Sequence, residues 1–362
     1  MELALYHPEH GYYLGATVRS GREGDFLTAA ELHPIFGRVL ARQLAEMWEL
    51  LGQPARFAVQ DDGAGPGTLG LAILEGLRAE RSPLLEAVVY APIEINPGHR
   101  RTLRERFAAA GLADRLADTG RSGRRDAGDE RSGLVGCVVA DEFVDALPVH
   151  RVVGGPVGML QEVFVAWRDG WFADDPGEPS DPALVRHFEP LDIRLAPGQQ
   201  AEVNLAVGPW LDGVAASLAR GYVLVIDYGH PAVELYSAAR AEGTLRAYHG
   251  HTAHADPYRW VGRQDLTAHV DLTTLQDGAR ERGLVPLGLT TQARFLVDGG
   301  LEELLGVERA RPELDLPSYL ALRSSILRLL DPRALGGFKV LLLGRDVPVD
   351  RLPSGFRSDV GP

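Results

Sequence analysis

The stretch "VQDDGAGPGTLGLAIL", Val59 to Leu74, constrains the fold more than any other part of the chain. An apolar run ends in two acids, glycines follow at every second position, and a helical apolar pattern starts at once. That is a strand, a tight turn and a helix, the opening of a βα unit whose turn backbone can hold a nucleotide. A GxxxxGK[ST] phosphate loop is excluded, because it needs a lysine and the one lysine of the chain is Lys339. Gly65, Gly67 and Gly70 spell the dinucleotide pattern GxGxxG. The tight turn, however, belongs directly at the strand end, which makes Gly63 the first glycine and the loop Gly63, Ala64, Gly65, Pro66, Gly67. Asp61 and Asp62 would then face a pyrophosphate at close range, an unfavourable arrangement.

Two acids at that place suit a nucleoside ligand that carries positive charge. S-adenosylmethionine (SAM) does, through its ammonium and sulfonium groups. A second apolar strand, "AVVYAPIE", ends in Glu94, whose carboxylate can accept hydrogen bonds from both ribose hydroxyls. Dehydrogenases use the same device. On these residues alone a dinucleotide, or glycines present only for the turn, stay open beside SAM.

The rest of the pattern is α/β with a mostly parallel sheet and helices on both faces. A helical stripe begins after Pro34. Strands are expected at Phe57 to Gln60, "AVVYAPIE", "LVGCVVADE", "YVLVIDYG", "LVPLGLTT" and "FKVLLLGR", with an antiparallel strand near the end. Helices are expected at Thr68 to Arg78, after Pro97 and up to Gly111, at "PWLDGVAASLARG", "DLTTLQDGARERG" and "SYLALRSSILRLL". Between Val149 and Asp174 the alternation and turn signals suggest an inserted antiparallel hairpin or meander. The expected organisation is a cap segment over residues 1–55, the first half of a Rossmann-like core over 56–150, an inserted hairpin and helical segment over 151–220, and the second half of the core over 221–362. The N-terminal stretch reads as irregular, and residues 119–133 as a mobile polar loop.

A formal net charge of −13 argues against a nucleic-acid or anionic-membrane binder. No apolar run approaches the ~18 residues of a membrane span. The single Cys137 cannot form an internal disulfide and reads as a buried thiol in a reducing compartment, and "MELALYHPEHGYY" lacks the regions of a signal peptide. The expected location is the cytoplasm, and arginine in place of lysine is consistent with a GC-rich bacterial source.

"ADEFVDALPVHR" follows the third core strand, and "GYYLG…GDFLTAAELHPIFGRVLARQLAEMW" precedes the glycine loop. With "VLVIDYG", "GTLRAYHGH", "GRQDLTAHVDLTTL", "TTQARFLVDGGL" and "LGGFKVLLL" in order, the chain closely resembles the MidA-like family over nearly its whole length. The resemblance implies a class I methyltransferase fold with added segments, SAM as cofactor, and a protein substrate methylated on arginine. In mitochondrial members that substrate is a respiratory complex I subunit. The chain departs from the family in three places: Asp61 stands for a Glu, Asp141-Glu142 for an Asn-Glu pair, and His33 for a Ser. The alternatives are a SAM-binding assembly factor with little catalysis and a small-molecule O- or N-methyltransferase.

Methyl transfer to a guanidinium needs alignment, exclusion of water and a destination for one proton. Paired carboxylates can grip a guanidinium bidentately. Glu142 and Asp145 are the candidates for that grip, with Asp141 beside them. The cofactor set is Asp61, Gly63, Ala64, Gly65, Gly67 and Glu94, joined through family position by Asp25 and Thr28, with Phe26 in the same loop. Asp25 and Phe26 read equally as an N-cap and a buried aromatic, and Asp145 as a cap of its turn. Asp227 and Tyr228 end a buried strand and could serve the site or only brace it. His249, His251 and His254 fit no standard zinc spacing, so no metal is assigned.

Overall fold

The computed structural model describes residues 1–15, 24–25, 27–117, 133–312 and 314–359. Phe26 and, Gly133 apart, the polar stretch 119–133 lie outside the described residues.

Six strands form the central sheet: β1 (Phe57–Asp62), β2 (Val88–Ile93), β3 (Leu134–Asp141), β4 (Leu218–Asp227), β5 (Val285–Thr291) and β6 (Lys339–Arg345). Their order is β5-β6-β4-β3-β1-β2. β1 pairs in parallel with both β2 and β3, and β3 in parallel with β4. β6 runs antiparallel to β4 and to β5. This is the expected mostly parallel sheet with one antiparallel strand near the end. β1 reaches Asp62 rather than stopping at Gln60, so both acids belong to the strand and point to opposite faces.

Alternation divides the sheet into two buried faces. Phe57, Val59, Cys137, Val139, Tyr222, Leu224, Val340 and Leu342 enter one apolar cluster. Ala58, Val138, Ala140, Val223, Val225, Leu341 and Leu343 enter the other. Runs apolar at every position are what a strand covered on both faces requires. The first face is covered by α1 (Ile35–Leu50), α2 (Thr68–Ala79) and α3 (Pro97–Ala109), through residues such as Leu40, Leu44, Ile73 and Phe107. Each such buried side chain is worth about 1.5–3 kcal/mol. The second face is covered by α4 (Val207–Ser217) and α5 (Leu272–Glu281), through Leu211, Val214, Leu275 and Ala279. α3 begins as its sequence suggests: Asn96 caps it by accepting from the Gly98 and His99 amides, and Pro97 sits at its first position. Cys137 is buried, which holds its thiol well above the ordinary range.

The chain order places β2 on one side of β1 and β3 on the other, so the carboxyl ends of these three strands surround a switch point in the topology. Ligands of open α/β sheets bind there. Beyond the core, Gln200–Val203, His150–Gly154, Leu160–Arg168 and Trp171–Gly177 form a four-stranded antiparallel sheet. Val152, Val203, Leu184 and Phe188 pack beneath it. Among its described residues the N-terminal stretch is not wholly irregular. Glu2–Tyr6 is a short α-helix and Tyr12–Leu14 a 3-10 turn, docked by Leu5 and Tyr12 against Ala247 and Leu266. Five residues are too few to show a helical period, and this helix exists through the surface it docks on.

Candidate functional site

The glycine loop is stitched to the end of β2. The amides of Gly63 and Ala64 both donate to the Ile93 carbonyl, at 2.9 and 3.2 Å. Gly63 has φ +80°, and a side chain there would also strike the Phe143 ring at 2.9 Å. The Gly65 amide donates to Glu94 Oε2 at 2.8 Å, and the Asn96 amide donates to Glu94 Oε1 at 2.6 Å. Glu94 is thereby fixed by one backbone donor on each oxygen, and each oxygen keeps lone-pair capacity for a hydroxyl. Gly67 serves another purpose. It has φ +78° at the start of α2, and a Cβ would lie 2.6 Å from Leu103 Cγ, so it lets α2 and α3 approach.

A cavity of about 450 Å³ opens at the switch point. Of the residues singled out in the sequence, Thr28, Asp61, Gly63, Ala64, Gly65, Glu94, Asp141 and Glu142 line it together. Gly67, Asp25 and Asp145 are not in its wall. Asp25 is buried beside it, accepting from the Tyr12 hydroxyl at 2.8 Å and the Gly250 amide at 2.7 Å. The wall also includes Glu2, Tyr6, Tyr13, Glu31 and His99, which sequence reasoning did not single out. The tyrosines arrive with the N-terminal segment. Tyr6 donates to the Ala146 carbonyl at 2.8 Å, Tyr13 to Asp265 Oδ1 at 2.7 Å, and their rings stack at 5.5 Å. The "GYY" triplet was the available signal, but its partners lie far along the chain.

The cavity is acidic. Glu2, Glu31, Asp61, Glu94, Asp141 and Glu142 line it, and no Arg or Lys does so among the described residues. Burial pushes Asp61 up to about 7, opposed by the hydrogen bond its carboxylate accepts from Tyr90 and helped by the charges of Asp62 and Glu94. Asp62, on the other face, accepts from Trp210 Nε1 at 2.8 Å and from Gln60 at 2.9 Å. Asp141 is pushed up to about 8 by burial and then by the Asp61, Asp145 and Glu31 carboxylates. Its buried Oδ1 has no hydrogen-bond partner among the described residues. Glu142 is raised well above the usual carboxylate range by burial, with Asp141 and Asp145 adding to it. One Glu142 oxygen accepts from the Ala29 amide at 3.1 Å, at the start of the helix that Thr28 and Glu31 cap. Glu142 also holds φ +49°, uncommon for a residue with a side chain and a sign that its placement is imposed by surrounding contacts.

Asp227 and Tyr228 brace this wall from β4. The Asp227 carboxylate accepts from the amides of Val144 (2.9 Å), Asp145 (3.1 Å) and Tyr228 (2.8 Å). The Tyr228 hydroxyl donates to Asp145 Oδ2. Burial pushes Asp145 up to about 6 against that bond. An acidic cavity with an orphaned buried oxygen and a fixed ribose-type carboxylate fits a nucleoside that carries positive charge.

Comparison with known proteins agrees. A family model for S-adenosyl-L-methionine-dependent methyltransferases matches residues 39–290. The mitochondrial protein arginine methyltransferase NDUFAF7 homolog of Drosophila melanogaster is 31% identical over 370 residues, covering 95% of this chain and 80% of its own. The mitochondrial protein arginine methyltransferase NDUFAF7 of Homo sapiens is 27% identical over 362 residues, covering 93% and 76%. A Burkholderia thailandensis protein crystallised with S-adenosyl-homocysteine is 32% identical, with a TM-score of 0.86 over 99% of this chain and 89% of that one.

Proposed function

The chain belongs to the MidA-like family of SAM-dependent methyltransferases, and from that membership we propose that its methyl acceptor is an arginine side chain of another protein. The observation that carries this reading is the acidic wall at the end of β3. Asp141 and Glu142 face a cavity without a basic counterpart from Arg or Lys among the described residues. A guanidinium supplies that counterpart and matches paired carboxylates in shape as well as charge.

When bound, SAM supplies a methyl group made electrophilic by its sulfonium. Glu94 holds the ribose hydroxyls, and the Gly63-to-Gly65 backbone lets the nucleoside approach. Asp61 and Asp141 offset positive charge. Glu142 would grip the guanidinium, draw its charge away from the attacking nitrogen, and take the proton that nitrogen gives up. Entry of cations favours the ionised form of these carboxyls, the form in which Glu142 can act as base. Asp145, tied to Tyr228 outside the cavity wall, positions this segment rather than gripping the acceptor. Tyr6 and Tyr13, on the N-terminal segment, roof the cavity.

A subunit of a respiratory complex is the protein class this reading favours, by likeness to the mitochondrial relatives. The bacterial cytoplasm is the location it favours, supported by the lone Cys137 and the arginine-rich composition. The test is incubation with methyl-tritiated SAM and cell protein from a strain lacking the gene, followed by mass spectrometry. Label on arginine supports the reading. Label only on small molecules, or SAM binding with no transfer to protein, sinks it in favour of the alternative chemistries.

A further inference from the structure

The inserted sheet carries an overhanging ribbon. Its strand His150–Gly154 pairs with Leu160–Arg168 only through Val152 to Gly154, opposite Glu162 to Leu160. Past Glu162 the longer strand pairs only with Trp171–Gly177. The two strands are antiparallel, so Val163 to Arg168 extend back along the direction from which His150 arrives. His150 arrives from the cavity wall, because Leu147 and Pro148 line the cavity. The ribbon therefore overhangs the start of the His150 strand by about 16 Å, at roughly 3.3 Å per residue, on the side from which the chain comes from the cavity wall.

One face of this ribbon leaves large apolar side chains exposed at its far end. Trp167 and Val165 are 65% and 58% exposed. They share that face with Phe172 and Asp174, their cross-strand partners. The partner strand holds the same stretch of this face in place. Arg151 grips Asp174 with two bonds of 2.7 and 2.8 Å, Tyr258 donates to the same carboxylate at 2.6 Å, and Phe172 lies 5.9 Å from the Tyr258 ring and 5.0 Å from that of Trp167. The loop carrying Tyr258 also packs on the N-terminal segment, since a Cβ at Gly262 would lie 2.2 Å from the His10 carbonyl oxygen. Exposed aromatic side chains held on a fixed frame are what a docking surface needs.

We propose that the Val165–Trp167 face is the docking surface for the acceptor polypeptide, binding an extended apolar and basic segment that flanks the arginine in the cavity. The inference rests on the arginine reading above. Three observations select this occupant. The face continues from the cavity wall through Pro148 to Arg151. The chain carries a net charge of −13 and the cavity wall is acidic, which draws a basic segment. The free edge of the ribbon is unsuited to pairing with another strand, because Pro176 lacks an amide hydrogen and Asp174 and Asp175 adjoin it. Docking is therefore by side-chain contact on the face and leaves the edge unpaired.

Trp171 offers an internal control. It is 57% exposed but lies on the opposite face, across from Arg168. The probe is a fluorescein-labelled 12-residue peptide with one central arginine flanked by leucine, phenylalanine and lysine. Its binding to the protein loaded with S-adenosyl-homocysteine is followed by anisotropy, and its methylation is read separately by mass. Trp167→Ala is expected to weaken binding about tenfold, as for an aromatic anchor, while Trp171→Ser and the affinity for S-adenosyl-homocysteine stay unchanged. Equal loss in both variants, no loss in Trp167→Ala, or no binding by the unaltered protein overturns the proposal. So does a dimer that Trp167→Ala dissociates, which would assign the face to a second copy. Trp167-dependent binding without arginine methylation would sink the arginine reading and leave the docking surface standing. Methylation with Trp167-independent binding would do the reverse.

Discussion

Binding of SAM should expel protons, and the number can be worked from the cavity. Asp61 and Asp141 sit at about 7 and about 8 before any cation enters. At pH 7 they hold roughly half a proton and roughly nine-tenths of one. A sulfonium and an ammonium nearby favour the ionised forms, so binding should release on the order of one proton at pH 7. The carboxyls interact, and the count belongs to the cluster rather than to either residue. Affinity should accordingly rise about tenfold or more between pH 6 and pH 7 and flatten above pH 8. The assay is calorimetric titration in buffers of different ionisation enthalpy, where the slope of observed heat against buffer enthalpy is the proton count. Asp141→Asn removes the larger contributor, so its release should fall to roughly half a proton. A slope of zero, proton uptake, or an unchanged slope in Asp141→Asn would refute the reasoning.

The same groups set stability without ligand. Asp61 and Asp141 keep protons in the folded chain at a pH where the unfolded chain has lost them, so the melting temperature should fall as pH rises from 6 to 9, and less steeply in Asp141→Asn. Tyr90 is the hydrogen-bond donor that holds Asp61 down, so Tyr90→Phe should weaken SAM binding at pH 7, with part of the loss recovered at pH 8.5. Gly67→Ala combines a positive φ with the close approach of Leu103 and should cost roughly 1–3 kcal/mol in denaturant titration. Asp227→Asn replaces one of the two oxygens that serve three amides with an NH2 that cannot accept, and should cut kcat roughly tenfold or more with little change in SAM affinity, since Asp227 lies outside the cavity wall.

The core and cofactor loop could be read from the sequence because their signals are local. Glycine spacing placed Gly63 at the turn, and uninterrupted apolar runs marked strands covered on both faces. Alternation along β1 even sorts its two acids: Asp61 shares a face with Phe57 and Val59 and meets Tyr90, while Asp62 shares one with Ala58 and meets Trp210. The roof was hidden for the opposite reason. Tyr13 finds Asp265 across 252 positions, and the helix before it is five residues long. No window of sequence contains both halves of such a contact. Asp25, expected to bind the cofactor, and Asp145, expected to grip the acceptor, both lie outside the cavity wall, because which acid reaches a cavity and which braces it depends on hydrogen bonds that cross between elements.

Asp141 shows how burial changes the meaning of a substitution. An amide in its place would both donate and accept, and an ionised carboxylate only accepts. In this chain, burial and three neighbouring carboxylates hold Asp141 protonated at neutral pH. A protonated acid donates one hydrogen bond and accepts others, so Asp141 in that form can, like the amide, both donate and accept. Once positive charge enters, the acid can ionise and add an attraction that an amide cannot. The exchange of Asn for Asp therefore preserves polar complementarity and makes it depend on pH. Asp141→Asn should accordingly keep the cofactor site working at pH 6, where the acid is most fully protonated, and fall behind the unaltered protein at pH 8. A variant that loses binding equally at both pH values would show that Asp141 acts there as a fixed charge.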